Sequence, residues 1–121
     1  MKAIAIEDPG PHYRLVLHEI PAPRPGAGQV LIKVSAAGLN NADLLQARGK
    51  YPPPPGASPI LGMEVSGTIA ELGENAGDWK PGDRVCALLT GGGYAEYAAA
   101  DTGSVLPVPP PVGECRVEMA M

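Results

Sequence analysis

The sequence has no phenylalanine, one tryptophan and four tyrosines, so its core must be assembled from Val, Ile, Leu and Ala. It has two cysteines, Cys86 and Cys115. They form no CxxC pair and are too few for a disulfide framework, which makes a reducing, cytoplasmic setting the expectation. No apolar run approaches the roughly 20 residues of a membrane span. The opening MKAIAIEDPG is interrupted by Glu7 and Asp8, unlike the apolar stretch of a secretory signal. Positive charge is sparse: nine Lys and Arg stand against thirteen Asp and Glu, a net charge of -4. The basic residues are scattered singly, which argues against nucleic acid or an anionic membrane surface as a partner.

Several chemical motifs are also missing. Gly26-Ala27-Gly28 leads to Leu31, and Gly91-Gly92-Gly93 to Glu96, so neither run completes a GxGxxG. GMEVSG has two glycines at phosphate-loop spacing but is followed by Thr68 and Ile69 instead of Lys and Ser/Thr. His12 and His18 are isolated, without ligand spacing, and are expected on the surface or in a hairpin.

Glycine and proline, by contrast, are plentiful at sixteen and fifteen of 121 residues. They fall between apolar runs, which implies turns within one folded domain. Residues 2–6 and 13–20 suggest a hairpin, with Leu15 and Leu17 on one face and Arg14 and Val16 on the other. QVLIKVSAAG carries Val30, Ile32 and Val34 on one side, as a half-buried strand does. A short helix follows, capped by Asn40 or Asn41, with Asp43 in its first turn and Gly49 as its stop. Pro52–Pro55 favour an extended segment. Further strand signals lie at 64–72, 84–89, 94–99 and 105–108. The pattern is that of a mainly β barrel or sandwich with one short helix.

GLNNADLLQARGKYPPPPG, SPILGMEVSGTIAELG, WKPGDRVCAL and GGGYAEY occur in that order. Together they resemble the N-terminal part of zinc-independent, NADPH-dependent quinone oxidoreductases. These are zeta-crystallin-like members of the medium-chain dehydrogenase/reductase superfamily, and YPPPPG points to the p53-inducible branch. The resemblance covers Met1 to Pro110. It implies an incomplete GroES-like β-barrel of the alcohol dehydrogenase N-terminal type. It further implies that residues 111–121 are a divergent tail and that the Rossmann cofactor domain is absent. On that expectation the chain is a catalytic-domain fragment, inactive alone.

The resemblance also assigns residues. Zinc-dependent relatives carry Cys where this chain has Asn40, and His where it has Met63. An amide and a thioether do not replace a thiolate and an imidazole as zinc ligands, so no metal is expected. A quinone or conjugated enone is already electrophilic, so hydrogen-bond donors near the developing oxyanion can serve instead. Asn40 and Tyr51 are the implied catalytic and cofactor-contacting donors, with NADPH as the cofactor.

Each assignment has a structural alternative. Asn40 also suits a helix cap, and Tyr51 could pack against the prolines. Asp43 suits the helix N-terminus better than catalysis. Glu64 is expected to be buried and hydrogen-bonded, and Cys86 to be a core thiol. Gly62 and Gly67 are expected to permit close strand approach. Two non-enzymatic roles also fit: association with a full-length homologue, or display of Tyr51–Pro55 to an SH3- or WW-type groove.

Overall fold

The structure, a computed structural model, describes residues 1–50 and 58–108. Tyr51, Pro52–Pro55, Cys115 and the tail, all singled out above, lie outside the described residues. Strands β1 (Lys2–Glu7) and β2 (Arg14–Glu19) form an antiparallel hairpin. A five-stranded antiparallel sheet contains β3 (Gln29–Ala37), β4 (Glu64–Leu72), β5 (Arg84–Leu88), β6 (Tyr97–Asp101) and β7 (Val105–Pro107), in the order β6-β3-β4-β5-β7. Helix α1 (Asn41–Ala47) joins β3 toward β4. The fold is thus mainly β with one short helix, as anticipated. The edge strands β6 and β7 are not joined to each other, so the barrel is open among the described residues.

The core follows from the β-branched residues of the central strands. Val30, Ile32, Val65, Ile69 and Val85 are almost wholly buried, and Val34, Leu72, Trp79 and Leu89 pack against them. Val30 and Ile32 share the face that strand alternation assigns them. Leu31, on the opposite face of β3, is buried as well, and β3 lies inside the sheet, paired with β4 on one side and β6 on the other.

Two departures from the sequence pattern have local causes. The strand expected to begin at Tyr94 begins at Tyr97. Before that point the chain pairs with β1, through Ile4 N–H donating to the Tyr94 carbonyl at 2.8 Å and Glu96 N–H to that of Lys2 at 3.1 Å. It transfers to β3 at Glu96, whose carbonyl accepts from Val34 N–H at 2.8 Å. In the hairpin, the larger face points outward: Leu15 and Leu17 are exposed while Val16 is half-buried. Val16 pairs with Ala5, on the side of the sheet occupied by buried Ala3.

Candidate functional site

The end of β3 delivers the chain to the start of α1. Gly38 N–H donates to the Glu64 carbonyl at 2.9 Å, fixing the exit from the sheet. Asn40 then takes the extended conformation of a helix cap, with φ -128 and ψ 154. Asn40 and Asp43 form a reciprocal capping box, in which the Asn40 side chain faces the Asp43 backbone N–H and Asp43 Oδ2 accepts the Asn40 backbone N–H at 3.0 Å. Capping engages only the oxygen end of the Asn40 side chain. Its Nδ2 is buried and has no partner among the described residues, and an unpaired buried donor costs about 1–3 kcal/mol unless something satisfies it.

Asp43 does more than the sequence suggested. It is 3% exposed, and besides Asn40 it accepts Gly62 N–H on Oδ1 at 3.2 Å and the Tyr94 hydroxyl on Oδ2 at 2.9 Å. One carboxyl group therefore ties α1 to the entry of β4 and to the strap before β6. Gly62 belongs here for steric reasons. Its φ is +106, and a Cβ at that position would lie 2.6 Å from the Tyr94 nitrogen. Tyr94 escaped notice because its partner lies 51 residues away in sequence. The only available signal was its place directly after three glycines, which let a backbone approach another closely.

Burial holds the Tyr94 phenol well above its ordinary value of 10.0, and the hydrogen bond to Asp43 and the charge on that side chain add to the effect. The neutral phenol is therefore favoured in the folded state. Its stabilising contribution is complete below about pH 10, the unfolded value, and is lost as pH rises through the higher folded value. Denaturation curves should show wild-type stability falling more steeply above pH 10 than that of Tyr94→Phe. Parallel profiles would exclude this role for Tyr94.

The other residues singled out have mixed outcomes. Met63 is half-buried just ahead of β4, and its carbonyl accepts Leu89 N–H at 2.7 Å. Glu64 corrects an expectation. It is half-buried, and its carboxylate makes no hydrogen bond among the described residues. It borders an apolar cavity of about 420 Å³ with Cys86, Leu88 and Leu106. The first position of β4 gives Glu64 backbone partners, whereas its side chain leaves the packed core. Cys86 also departs from expectation, being half-buried with no free thiol. His12 and His18 are exposed, and His18 Nε2 lies 3.2 Å from Glu7 in the hairpin. Among the described residues no three His, Cys, Asp or Glu side chains converge, and no helix is long and apolar enough to cross a membrane.

Comparison with known proteins gives the family of this fold. Residues 26–110 match the alcohol dehydrogenase GroES-like domain. The chain is 47% identical over 89 residues to acryloyl-coenzyme A reductase of Sulfurisphaera tokodaii, covering 74% of this chain and 26% of that protein. It is 39% identical over 111 residues to human quinone oxidoreductase, covering 90% of this chain and 34% of that protein. The quinone oxidoreductase of Thermus thermophilus, solved alone and with NADPH, superposes with a TM-score of 0.68 at 35% identity, over 92% of this chain and 33% of that one. The chain thus spans about a third or less of these relatives. With the fold and the matched residues in agreement, the chain belongs to the alcohol dehydrogenase GroES-like domain family, in the medium-chain dehydrogenase/reductase superfamily with quinone oxidoreductases among its homologues.

Proposed function

We propose that this chain supplies the substrate-cleft domain of a zinc-independent reductase that passes hydride from NADPH to a quinone or another conjugated carbonyl compound. The observation that carries this reading is the buried, unpartnered Nδ2 of Asn40. It occupies the position at which zinc-dependent relatives place a ligand, and it is a donor without an acceptor. A carboxamide or carbonyl oxygen fits it, which is the acceptor chemistry that a nicotinamide or a conjugated carbonyl would bring. The names of the relatives support the substrate class: quinones and acryloyl thioesters both carry an electron-poor double bond conjugated to a carbonyl.

NADPH, when bound, supplies the hydride. The chain's own part is to bind and orient. Asn40 offers its Nδ2–H to an oxygen and so favours negative charge developing there. Tyr51, implied as a second donor by the family resemblance, has a phenol with a reference pKa of about 10 and is a competent donor at neutral pH. Leu39, directly before Asn40, and Leu44 of α1 are both exposed, apolar surface available to a second domain.

Joined to the cofactor-binding remainder of a homologue, the chain should turn over NADPH with quinones. Asn40→Ala or Tyr51→Phe should then lower turnover by up to about a hundredfold to a thousandfold, the range for losing one transition-state donor. Unchanged kinetics with several quinones would remove the residue concerned from the mechanism. The 121-residue chain on its own should consume no NADPH, because affinity for a ligand shared between two domains is mostly lost with one of them. A chain that reduces quinones unaided contradicts the proposed division of labour.

Zinc independence has its own test. With Asn40 and Met63 at the relevant positions, protein purified from zinc-containing buffer should hold substoichiometric metal by elemental analysis. One tightly bound zinc per chain, released by substitutions around Asn40, would overturn the assignment.

A further inference from the structure

We infer that Tyr94 is a positioning residue for the Asn40 amide, acting through Asp43; the inference rests on the role proposed above for Asn40. A single oxygen, Asp43 Oδ2, receives both the Tyr94 hydroxyl at 2.9 Å and the Asn40 backbone N–H at 3.0 Å. The other oxygen is taken by Gly62 N–H. Tyr94 is itself held from two sides: its N–H donates to the Leu61 carbonyl at 2.9 Å, and its carbonyl accepts from Ile4 N–H at 2.8 Å. The hydroxyl thus reaches Asp43 from a backbone anchored to β1 and to the segment before β4.

Nδ2 itself has no partner among the described residues, so its direction is set through the capping box that Asn40 shares with Asp43. The Oδ2 contact to the Asn40 N–H holds one half of that box. Removing the Tyr94 hydroxyl leaves Asp43 with its two N–H partners but frees Oδ2 to rotate or to shift its bond to Asn40. The cap survives and the aim of the amide changes. A purely structural role for Tyr94 predicts something different: a change in stability with the Asn40 side chain undisturbed.

The sequence makes the test tractable, with only three asparagines (Asn40, Asn41 and Asn75) and two glutamines. In nitrogen-15 spectra of the 121-residue chain, Tyr94→Phe should shift both Nδ2 proton resonances and the backbone N–H resonance of Asn40. The side-chain amides of the exposed Asn41 and Asn75 should stay in place, as should the methyl resonances of core residues Val30 and Val85. In the chain joined to the cofactor-binding remainder of a homologue, NADPH should perturb the Asn40 side-chain amide in the wild type and perturb it less in the variant. Asn40 resonances unchanged by Tyr94→Phe overturn the positioning role. So does a variant that unfolds, because positioning requires a fold that survives without the hydroxyl. If Tyr94→Phe moves the Asn40 amide but NADPH leaves the wild-type amide untouched, the coupling stands and the cofactor assignment for Asn40 falls.

Discussion

Asp43→Ala is expected to remove about 3–5 kcal/mol of stability, enough to leave the chain largely unfolded if its total lies at the low end of the usual 5–15 kcal/mol. Three donors lose their acceptor at once: the N–H groups of Asn40 and Gly62 and the hydroxyl of Tyr94. Asp43 and Gly62 are buried, whereas Asn40 and Tyr94 are half-buried, so the Gly62 N–H is the donor least able to turn to water. Each stranded donor costs about 1–3 kcal/mol, and because the three share one carboxyl group the costs do not simply add. Asp43→Asn keeps the volume and one acceptor oxygen but turns an NH₂ toward a donor, so an intermediate loss is expected. Arg14→Ala is the useful comparison. It breaks exposed contacts to Glu7 at 2.9 Å and Asp8 at 3.6 Å, and exposed pairs contribute only about 0–1 kcal/mol. Urea denaturation with a constant m-value would give the ranking. An Asp43→Ala protein no weaker than Arg14→Ala would show that the carboxyl group is not the tie described here.

What could be read from the sequence was the part governed by neighbours along the chain. Alternation identified β3 from Val30, Ile32 and Val34, and local chemistry identified α1 from Asn40 at its start and Gly49 at its end. The glycines and prolines placed the turns. Contacts between distant segments were not legible. Asp43 has the short side chain that suits a helix N-terminus, and nothing near it in sequence announces that Gly62 and Tyr94 will converge on it. The hairpin shows the same limit. Alternation divides Leu15 and Leu17 from Val16, but only the pairing of β2 with β1 decides which set faces inward. Glu64 was expected to be buried and hydrogen-bonded. Its place as the first residue of β4 leaves the side chain half-buried at a cavity wall instead. Asn40 was legible as a cap position by residue type alone, while the lack of a partner for its Nδ2 depends on what the fold brings near it.

The smallest substitution with a large expected effect is Gly67→Ala, which adds one methyl group. Gly67 lies in β4 between two partners, opposite Val34 of β3 and Val85 of β5. A Cβ built on it would fall on the backbone carbonyl oxygen of Lys33, with the carbonyl carbon at 2.9 Å and the Ile32 Cγ2 at 3.1 Å. The obstacle is backbone, so no side-chain rotation relieves it. β3 would have to move away from β4, yet β3 is held on its other side by β6. The register of β3 against β4 already shifts between Val34 and Ala36, the irregularity expected where a glycine admits a close approach. Forcing the strands apart breaks ladder hydrogen bonds and opens the core around Ile32 and Val65, so a loss above about 4 kcal/mol is expected. Gly103→Ala tests whether the effect comes from position or from glycine itself. Nothing lies within 4 Å of a Cβ there, and an exposed substitution of this kind changes stability by about 0.5 kcal/mol or less. Thermal melts of the two variants should therefore separate widely, with Gly103→Ala near the wild type and Gly67→Ala unfolded or melting far below it. If Gly67→Ala melts with the wild type, β3 and β4 do not approach as closely as the structure requires, and the register assigned to the centre of the sheet is wrong.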